Sequence, residues 1–274
     1  MSIERRVFHD PSKLVKEVQN RVEEVRAADE ELDYLCFVPD GEPSLDLNLG
    51  REIELLKPLG VDIGVISNAS LIWSEEVREE LSRADWVSLK VDAASESLWH
   101  HIDRPHRRLR LERILEGIMC FAESFGGRLV TETMLVRDLN DQQEELEEIA
   151  IFLEKVQPEI AYLSIPIRPP AESGVQAPDE AAITRAWSIF SEKLPRVECL
   201  TGAEGDSFFS SGDIVSDLLS TTSVHPMRLS SVEALLKVGG APWSIVQKLL
   251  DEGYLIRNDY GGETFFIRKL SSGT

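Results

Sequence analysis

Leu14, Val15, Val18, Val22 and Val25 recur at helical spacing in an otherwise charged segment. That pattern predicts an amphipathic helix over roughly 11–30. Tyr34-Leu35-Cys36-Phe37-Val38 follows as a continuous apolar run and stops at Pro39-Asp40-Gly41-Glu42-Pro43. A parallel strand covered on both faces and ended by a turn has this form. The cycle then repeats. A helix near 49–58 leads to a strand at 61–67, and a helix near 74–83 to a strand at 86–91. Two helices near 95–103 and 109–124 lead to a strand at 128–136. An acidic helix near 141–156, with Leu146, Ile149, Leu153 and Val156 on one face, leads to a strand at 160–167. A helix near 178–193 precedes Val197-Glu198-Cys199-Leu200, a weaker sixth strand. This alternation predicts an α/β fold with a parallel sheet, either open or curled into a partial barrel, with its chemistry at the C-terminal ends of the strands.

After residue 200 the pattern changes. Residues 201–222 are rich in Gly, Ser, Thr and Asp and predict a linker with one short helix near 212–219. Ser231 to Val238 and Trp243 to Glu252 predict two helices around the turn Gly239-Gly240-Ala241-Pro242. Tyr254-Leu255-Ile256-Arg257 and Thr264-Phe265-Phe266-Ile267-Arg268 then predict a β-hairpin, so that residues 223–274 take a winged-helix shape. Tyr254, Ile256, Phe265 and Ile267 are assigned to the hairpin's buried face, with Trp243, Leu249 and Leu250 completing a small core. The expected division is therefore 1–200, 201–222 and 223–274.

Composition narrows the function. Lys+Arg 29 against Asp+Glu 49 gives a net charge of −20, which argues against a general polyanion binder. From Arg228 onward, six basic residues face five acidic ones, well short of the excess a DNA reader carries. No apolar run reaches the ~20 residues that span a bilayer, and no apolar segment follows Met1-Ser2-Ile3-Glu4-Arg5-Arg6, so a cytoplasmic protein without membrane contact is expected. The three cysteines, Cys36, Cys120 and Cys199, are far apart and form neither a disulfide framework nor a metal motif.

The chemistry-bearing residues cluster where strands stop. Gly41-Glu42-Pro43 follows the first strand and Ser67-Asn68-Ala69-Ser70 the second. Lys90 and Asp92, two apart, share one face of the third. Glu132 interrupts the apolar fourth, and Arg168 follows the fifth. Each has a plainer reading: a turn, a helix cap, or a structural ion pair. Their placement on successive strand ends of one sheet favours a ligand site. His100, His101, Arg104, His106, Arg107 and Arg108 form a basic run in this acidic chain. They are either a solvated loop or a patch for RNA or a phosphate-bearing substrate.

The strand ends carry a resemblance. Phe37-Val38-Pro39-Asp40-Gly41-Glu42-Pro43 resembles the Gly-Gly-Glu-Pro strand end of radical S-adenosylmethionine (SAM) enzymes. Val65-Ile66-Ser67-Asn68-Ala69 is similar to their Thr-Asn-Gly strand end, and Ser88-Leu89-Lys90-Val91-Asp92 to their Ser-Leu-Asp type. Ile102-Asp103-Arg104-Pro105-His106, Met134-Leu135-Val136 and Ile165-Pro166-Ile167-Arg168-Pro169-Pro170 resemble a subgroup related to the wyosine tRNA-modification enzymes. The resemblance covers roughly 1–200 and implies a partial (β/α)₆ TIM-like barrel. It implies that Gly41, Glu42 and Pro43 hold the methionyl ammonium of SAM, with Asn68 and Ser70 near its ribose or carboxylate. Lys90 would meet the carboxylate, Asp92 the ribose or substrate, and Glu132 and Arg168 would line the mouth. Catalytic residues are left unassigned, and no residue is assigned to a metal.

The family's Cys-x-x-x-Cys-x-x-Cys motif does not occur in these 274 residues. The expectation is a chain without its first barrel strand and cluster loop, by truncation or by loss. A [4Fe–4S]-dependent radical reaction is then expected only if that segment is restored, because a cubane cluster needs three thiolates. The alternative is a non-catalytic module that binds SAM, nucleic acid or a protein partner.

Overall fold

In the computed structural model the first amphipathic segment forms α1 (Pro11–Ala27). Asp10 caps it, accepting from the Ser12 amide at 2.9 Å, and Pro11 opens the first turn. The structure describes residues 2–38, 41–170, 172, 174–200, 213–224, 226–260 and 262–269. They divide into two units, Met1–Pro166 with Gly174–Thr201, and Ile167–Ser173 with Gly202–Thr274.

The first unit continues β1 (Tyr34–Phe37), α2 (Leu49–Leu56), β2 (Asp62–Ser67), α3 (Glu75–Leu81) and β3 (Trp86–Lys90). It goes on through α4 (Glu96–Ile102), α5 (Leu111–Ser124), β4 (Arg128–Met134), α6 (Gln143–Val156), β5 (Ile160–Ser164), α7 (Glu180–Lys193) and β6 (Val197–Leu200). The six strands lie in chain order, β1-β2-β3-β4-β5-β6, and every pair is parallel. Strand side chains alternate between faces. One face, with Ile63, Val65, Val87, Leu89, Leu129, Ala161 and Leu163, is buried under helix residues such as Ile53, Leu81, Ile118, Leu153 and Phe190. Gly117 brings α5 close to the turn after β2, since a Cβ there would lie 2.6 Å from the Ile72 carbonyl oxygen.

The other face carries Tyr34, Trp86, Ser88, Lys90, Arg128, Glu132, Tyr162 and Ser164. Tyr34 and Arg128 stand three strands apart, ~14 Å across a flat sheet. Yet the Arg128 guanidinium donates to the Tyr34 hydroxyl at 2.9 Å. A six-stranded parallel sheet in chain order is consistent with a partial barrel. Arg128 also pairs with Glu159 at 2.7 Å. These contacts sit at the N-terminal ends of the strands, away from the ends that carry the candidate site.

The second unit runs α8 (Ile214–Val224), β7 (Met227–Arg228), α9 (Leu229–Val238), α10 (Ser244–Asp251), β8 (Leu255–Tyr260) and β9 (Glu263–Arg268). Its antiparallel sheet has the order β7-β9-β8. Ile214 and Leu218 of α8 share a core with Met227, Val232, Leu235, Val246, Leu249, Leu255 and Phe266. Residues 201–212 of the expected linker lie outside the described residues.

The hairpin matches expectation at Phe265, which is buried, and differs from it on β8. Tyr254 and Ile256 are 52% and 46% exposed, whereas Leu255 and Phe266 are buried. The register pairs Leu255 with Arg268 and Arg257 with Phe266, so Leu255 and Phe266 share the covered side. Tyr-Leu-Ile offers an apolar residue in both phases, and a one-residue slip in phase exchanges the faces. Trp243 is 39% exposed and meets Phe266 edge-on, centroids 5.7 Å apart.

Candidate functional site

The site begins where β1 ends. Gly41 has φ 132°, in the region that favours glycine, and a Cβ there would meet no atom within 4 Å. Glu42 turns inward, and Pro43 starts a 3₁₀ turn over Pro43–Leu45. The Glu42 carboxylate is buried and accepts four hydrogen bonds. Oε1 takes the Ser44 amide at 3.1 Å, the Ser44 hydroxyl at 2.7 Å and the Ser67 hydroxyl at 2.7 Å; Oε2 takes the Asn68 amide at 2.7 Å. Burial pushes its carboxyl pKa up, while these hydrogen bonds pull it back. Glu42 thus ties the end of β1 to the end of β2.

At the β2 end, Asn68 Oδ1 accepts the Ser70 amide at 2.9 Å. Ala69 sits between them at φ 60° and is fully buried. It takes the left-handed turn that glycine would adopt without strain. The extended residues before α1 brace the same loop. Arg6 pairs with 45–47 through Arg6 N to the Leu45 carbonyl (2.9 Å) and Leu47 N to the Arg6 carbonyl (3.1 Å). Arg5 donates to the Ser44 and Asp46 carbonyls, both at 2.9 Å, and pairs with Glu80 and with Glu76 at 3.1 Å. No sequence motif announced this strap, which joins residues up to 75 apart in the chain.

At the β3 and β4 ends, register places Lys90 beside Glu132. Lys90 Nζ lies 3.3 Å from Asp92 Oδ2 and 3.7 Å from Glu132 Oε1. Asp92 is fully buried at its side chain, and its Oδ1 accepts the Met134 amide at 2.8 Å. Ser164 on β5 donates to Glu132 Oε1 at 2.7 Å. Asn140 holds the backbone here, donating to the Asp92 and Met134 carbonyls, each at 2.9 Å. Burial works to lower the Lys90 ammonium pKa, but Asp92 and Glu132 overcome it and leave it above its ordinary value. A residue not singled out above completes the group. Asp103, just past α4, lines one small cavity together with Asp92; burial and the Asp92 charge push its carboxyl up to about 8, with Lys90 pulling the other way. Asp103 stood in the sequence inside a run of His and Arg that drew attention to its charge instead.

A cleft of about 270 Å³ opens over these ends, lined among others by Gly41, Glu42, Asn68, Ser70, Trp99 and Asp103. A narrow cavity of about 20 Å³ beneath it is lined by Asn68, Lys90, Asp92, Trp99 and Asp103. Asn68, Trp99 and Asp103 border both. Of the expected residues, Gly41, Glu42, Asn68, Ser70, Lys90 and Asp92 line these two spaces. Glu132 reaches the group through Lys90, and Pro43 shapes the turn. Arg168 falls in the Ile167–Ser173 segment of the second unit. A larger groove of about 430 Å³ over α5 and α6 shares only Leu111 and Leu115 with the narrow cavity and contains none of the strand-end residues. In the basic run, His100, His101, Arg104, Arg107 and Arg108 are exposed, while His106 lines the cleft. His100 pairs with Glu96 at 3.4 Å, and His101 meets the Ser97 carbonyl at 2.7 Å.

Residues 5–153 match the radical SAM superfamily. The chain belongs to that superfamily. It is 39% identical over 273 residues to a UPF0026 protein of Methanocaldococcus jannaschii, covering 99% of this chain and 84% of the relative. Among solved structures, TYW1 with a lysine–pyruvate adduct bound superposes with a TM-score of 0.55 at 16% identity, over 70% of this chain and 66% of that one. SuiB of Streptococcus suis, bound to S-adenosylmethionine, does so with a TM-score of 0.52 at 12% identity, over 73% and 48%. These likenesses are of fold. No helix among the described residues is long and apolar enough to cross a membrane.

The superfamily implies SAM and a [4Fe–4S] cluster, and this donor set fits them unequally. The strand-end cleft offers buried acceptors, amides and a lysine ammonium suited to a zwitterionic nucleoside. The cysteines do not fit a cluster. Cys36 is on β1 and Cys199 on β6, opposite edges of the sheet, and Cys120 is on α5. Burial pushes the Cys36 and Cys199 thiols up, away from the thiolate a cluster needs. Among the described residues no group of His, Cys, Asp and Glu could hold a metal ion.

Proposed function

We propose that this chain binds SAM in the strand-end cleft and presents it to a substrate at the mouth. The observation that carries this reading is the convergence of Gly41, Asn68, Ser70, Lys90, Asp92 and Asp103 on two spaces of a radical SAM fold that share lining residues. With Glu42 fully engaged by protein donors, the Gly41 backbone takes the methionyl ammonium, and Glu42 holds that backbone in place. Asn68 and Ser70 face the ribose or carboxylate. Lys90 is already neutralised on two sides, so an incoming carboxylate competes with Glu132 for it. The Asp92 carboxylate is taken by Lys90 and the Met134 amide, and it orders the floor.

Bound SAM, with a reduced [4Fe–4S] cluster, supplies a 5′-deoxyadenosyl radical in this superfamily. The three cysteines here do not supply that cluster, so a radical reaction would draw three thiolates from elsewhere. The exposed Arg104, Arg107 and Arg108 beside His106 fit an RNA or phosphate-bearing substrate at the mouth. The order α8-β7-α9-α10-β8-β9 supports reading the second unit as a winged-helix domain. With seven basic against ten acidic residues, that unit suits a protein partner better than duplex DNA.

Equilibrium dialysis with radiolabelled SAM tests the reading. Asn68→Asp keeps the acceptor for the Ser70 amide but adds a negative charge beside the buried Glu42. It should weaken SAM at least ~10-fold, about 1.4 kcal/mol, at unchanged thermal stability. Equal affinity of the variant and the parent chain would refute the placement.

A further inference from the structure

We propose that Arg5 is a positioning residue for the cleft: its guanidinium clamps residues 2–9 onto the turn after β1 and so sets Ile3 as a wall of the ligand space. The inference rests on the SAM-binding reading for its ligand, but the clamp stands on contacts independent of it.

The stretch 2–9 has little apolar hold of its own. Val7 and Phe8 are exposed, and Ile3 is the residue of the stretch that packs on the core of the first unit. Two backbone hydrogen bonds at Arg6, and one from Asn48 Nδ2 to the His9 carbonyl at 3.3 Å, tie it to residues 45–48. Arg5 adds the charged contacts. Its Nε donates to the Ser44 carbonyl and one terminal nitrogen to the Asp46 carbonyl, each at 2.9 Å. The same nitrogen pairs with Glu80, and the other lies 3.1 Å from Glu76, both on α3. The Arg5 and Glu80 side chains are 13% and 10% exposed, so this pair is screened little. Hydrogen bonds from a guanidinium are stronger than neutral ones, and its planar fork makes several at once.

The clamp reaches the cleft in two directions. Ser2, Ile3 and Leu45 line it together with Gly41, Glu42, Asn68 and Ser70. Ile3 stands two residues before Arg5, at most ~7 Å of chain, so fixing Arg5 limits how far Ile3 can swing. In the other direction, Ser44, whose carbonyl Arg5 holds, donates its amide and hydroxyl to Glu42. Glu42 in turn takes the Ser67 hydroxyl and the Asn68 amide. α3, the strap, the turn after β1 and the end of β2 thus form one chain of hydrogen bonds. Arg5 is not one of the described residues lining the cleft, so it acts on a ligand through Ile3 and the turn rather than by contact.

The test measures SAM affinity and amide hydrogen exchange for the full chain, Arg5→Ala, Ile3→Ala and the double variant. Arg5→Ala should bind SAM at least ~10-fold more weakly and Ile3→Ala ~5-fold, while the double variant stays near ~10-fold rather than the ~50-fold product, because both changes remove one wall. Protection of the Arg6 and Leu47 amides, which hold the strap, should fall at least ~10-fold in Arg5→Ala, and that of the Met134 amide at the end of β4 should stay within ~2-fold. Arg5→Lys keeps the charge without the fork and should fall between parent and alanine in both readouts. It carries the comparison where Arg5→Ala does not fold. Parent-like affinity of Arg5→Ala, a multiplicative double variant, or protection lost equally at Met134 overturns the proposal. If no form binds SAM, the functional reading fails, and the exchange at Arg6 and Leu47 alone decides for or against the clamp.

Discussion

Anaerobic reconstitution of these 274 residues with ferrous iron and sulfide should leave them without a stoichiometric [4Fe–4S] cluster. A cubane needs at least three thiolates converging within a few ångströms. Cys36 and Cys199 sit on the two edge strands of a six-stranded sheet, and Cys120 sits on a helix outside it. No rotamer change unites them, and desolvation pushes two of the thiols up, away from the thiolate form. The measurement is visible absorption and Mössbauer spectroscopy after desalting. About one cluster per chain would contradict the expectation and would mean that the sheet edges meet in solution.

The second large effect is expected at Glu42. Replacing it with alanine strips acceptors from the Ser44 amide and hydroxyl, the Ser67 hydroxyl and the Asn68 amide in one step. Hydrogen bonds to a charged group are worth about 1.5–3 kcal/mol each, less when lost together, so a cost of at least ~3 kcal/mol is expected. In a unit of this size that lowers the melting temperature by about 6–12 °C. Glu42→Gln retains one acceptor but points an amide donor at a donor, and should fall between. Thermal denaturation resolves the series. An alanine variant as stable as the parent chain would mean that the carboxylate does not join the β1 and β2 ends.

The repeating units were legible because buried parallel strands are continuous apolar runs, and the turns that stop them are rich in Gly, Pro, Asn and Ser. Lys90 beside Glu132 could also be foreseen, since two charges in neighbouring buried strands must answer each other. Other features were not local enough to read. The two-residue β7 is shorter than any periodicity. On β8 the buried position was assigned one residue out because Tyr254, Leu255 and Ile256 are all apolar, whereas Phe265 on β9 is buried as expected. The Arg5 strap joins positions that only the fold brings together. Glu42 looked like a ligand contact because a carboxylate at a strand end is polar in isolation, whereas the fold surrounds it with four protein donors. Asp103 was hidden by its neighbours: a single acid among His100, His101, Arg104, His106, Arg107 and Arg108 reads as a break in a basic run. Only the fold brings it to the cavity it lines with Asp92.

The most direct measurement is a crystal structure grown with saturating SAM. The account predicts the nucleoside in the cleft over the ends of β1, β2 and β3, its ammonium at the Gly41 backbone and its remaining polar groups against Asn68, Ser70 and Lys90. SAM bound instead in the groove over α5 and α6, or a cleft left empty under conditions where solution binding is saturated, would contradict it.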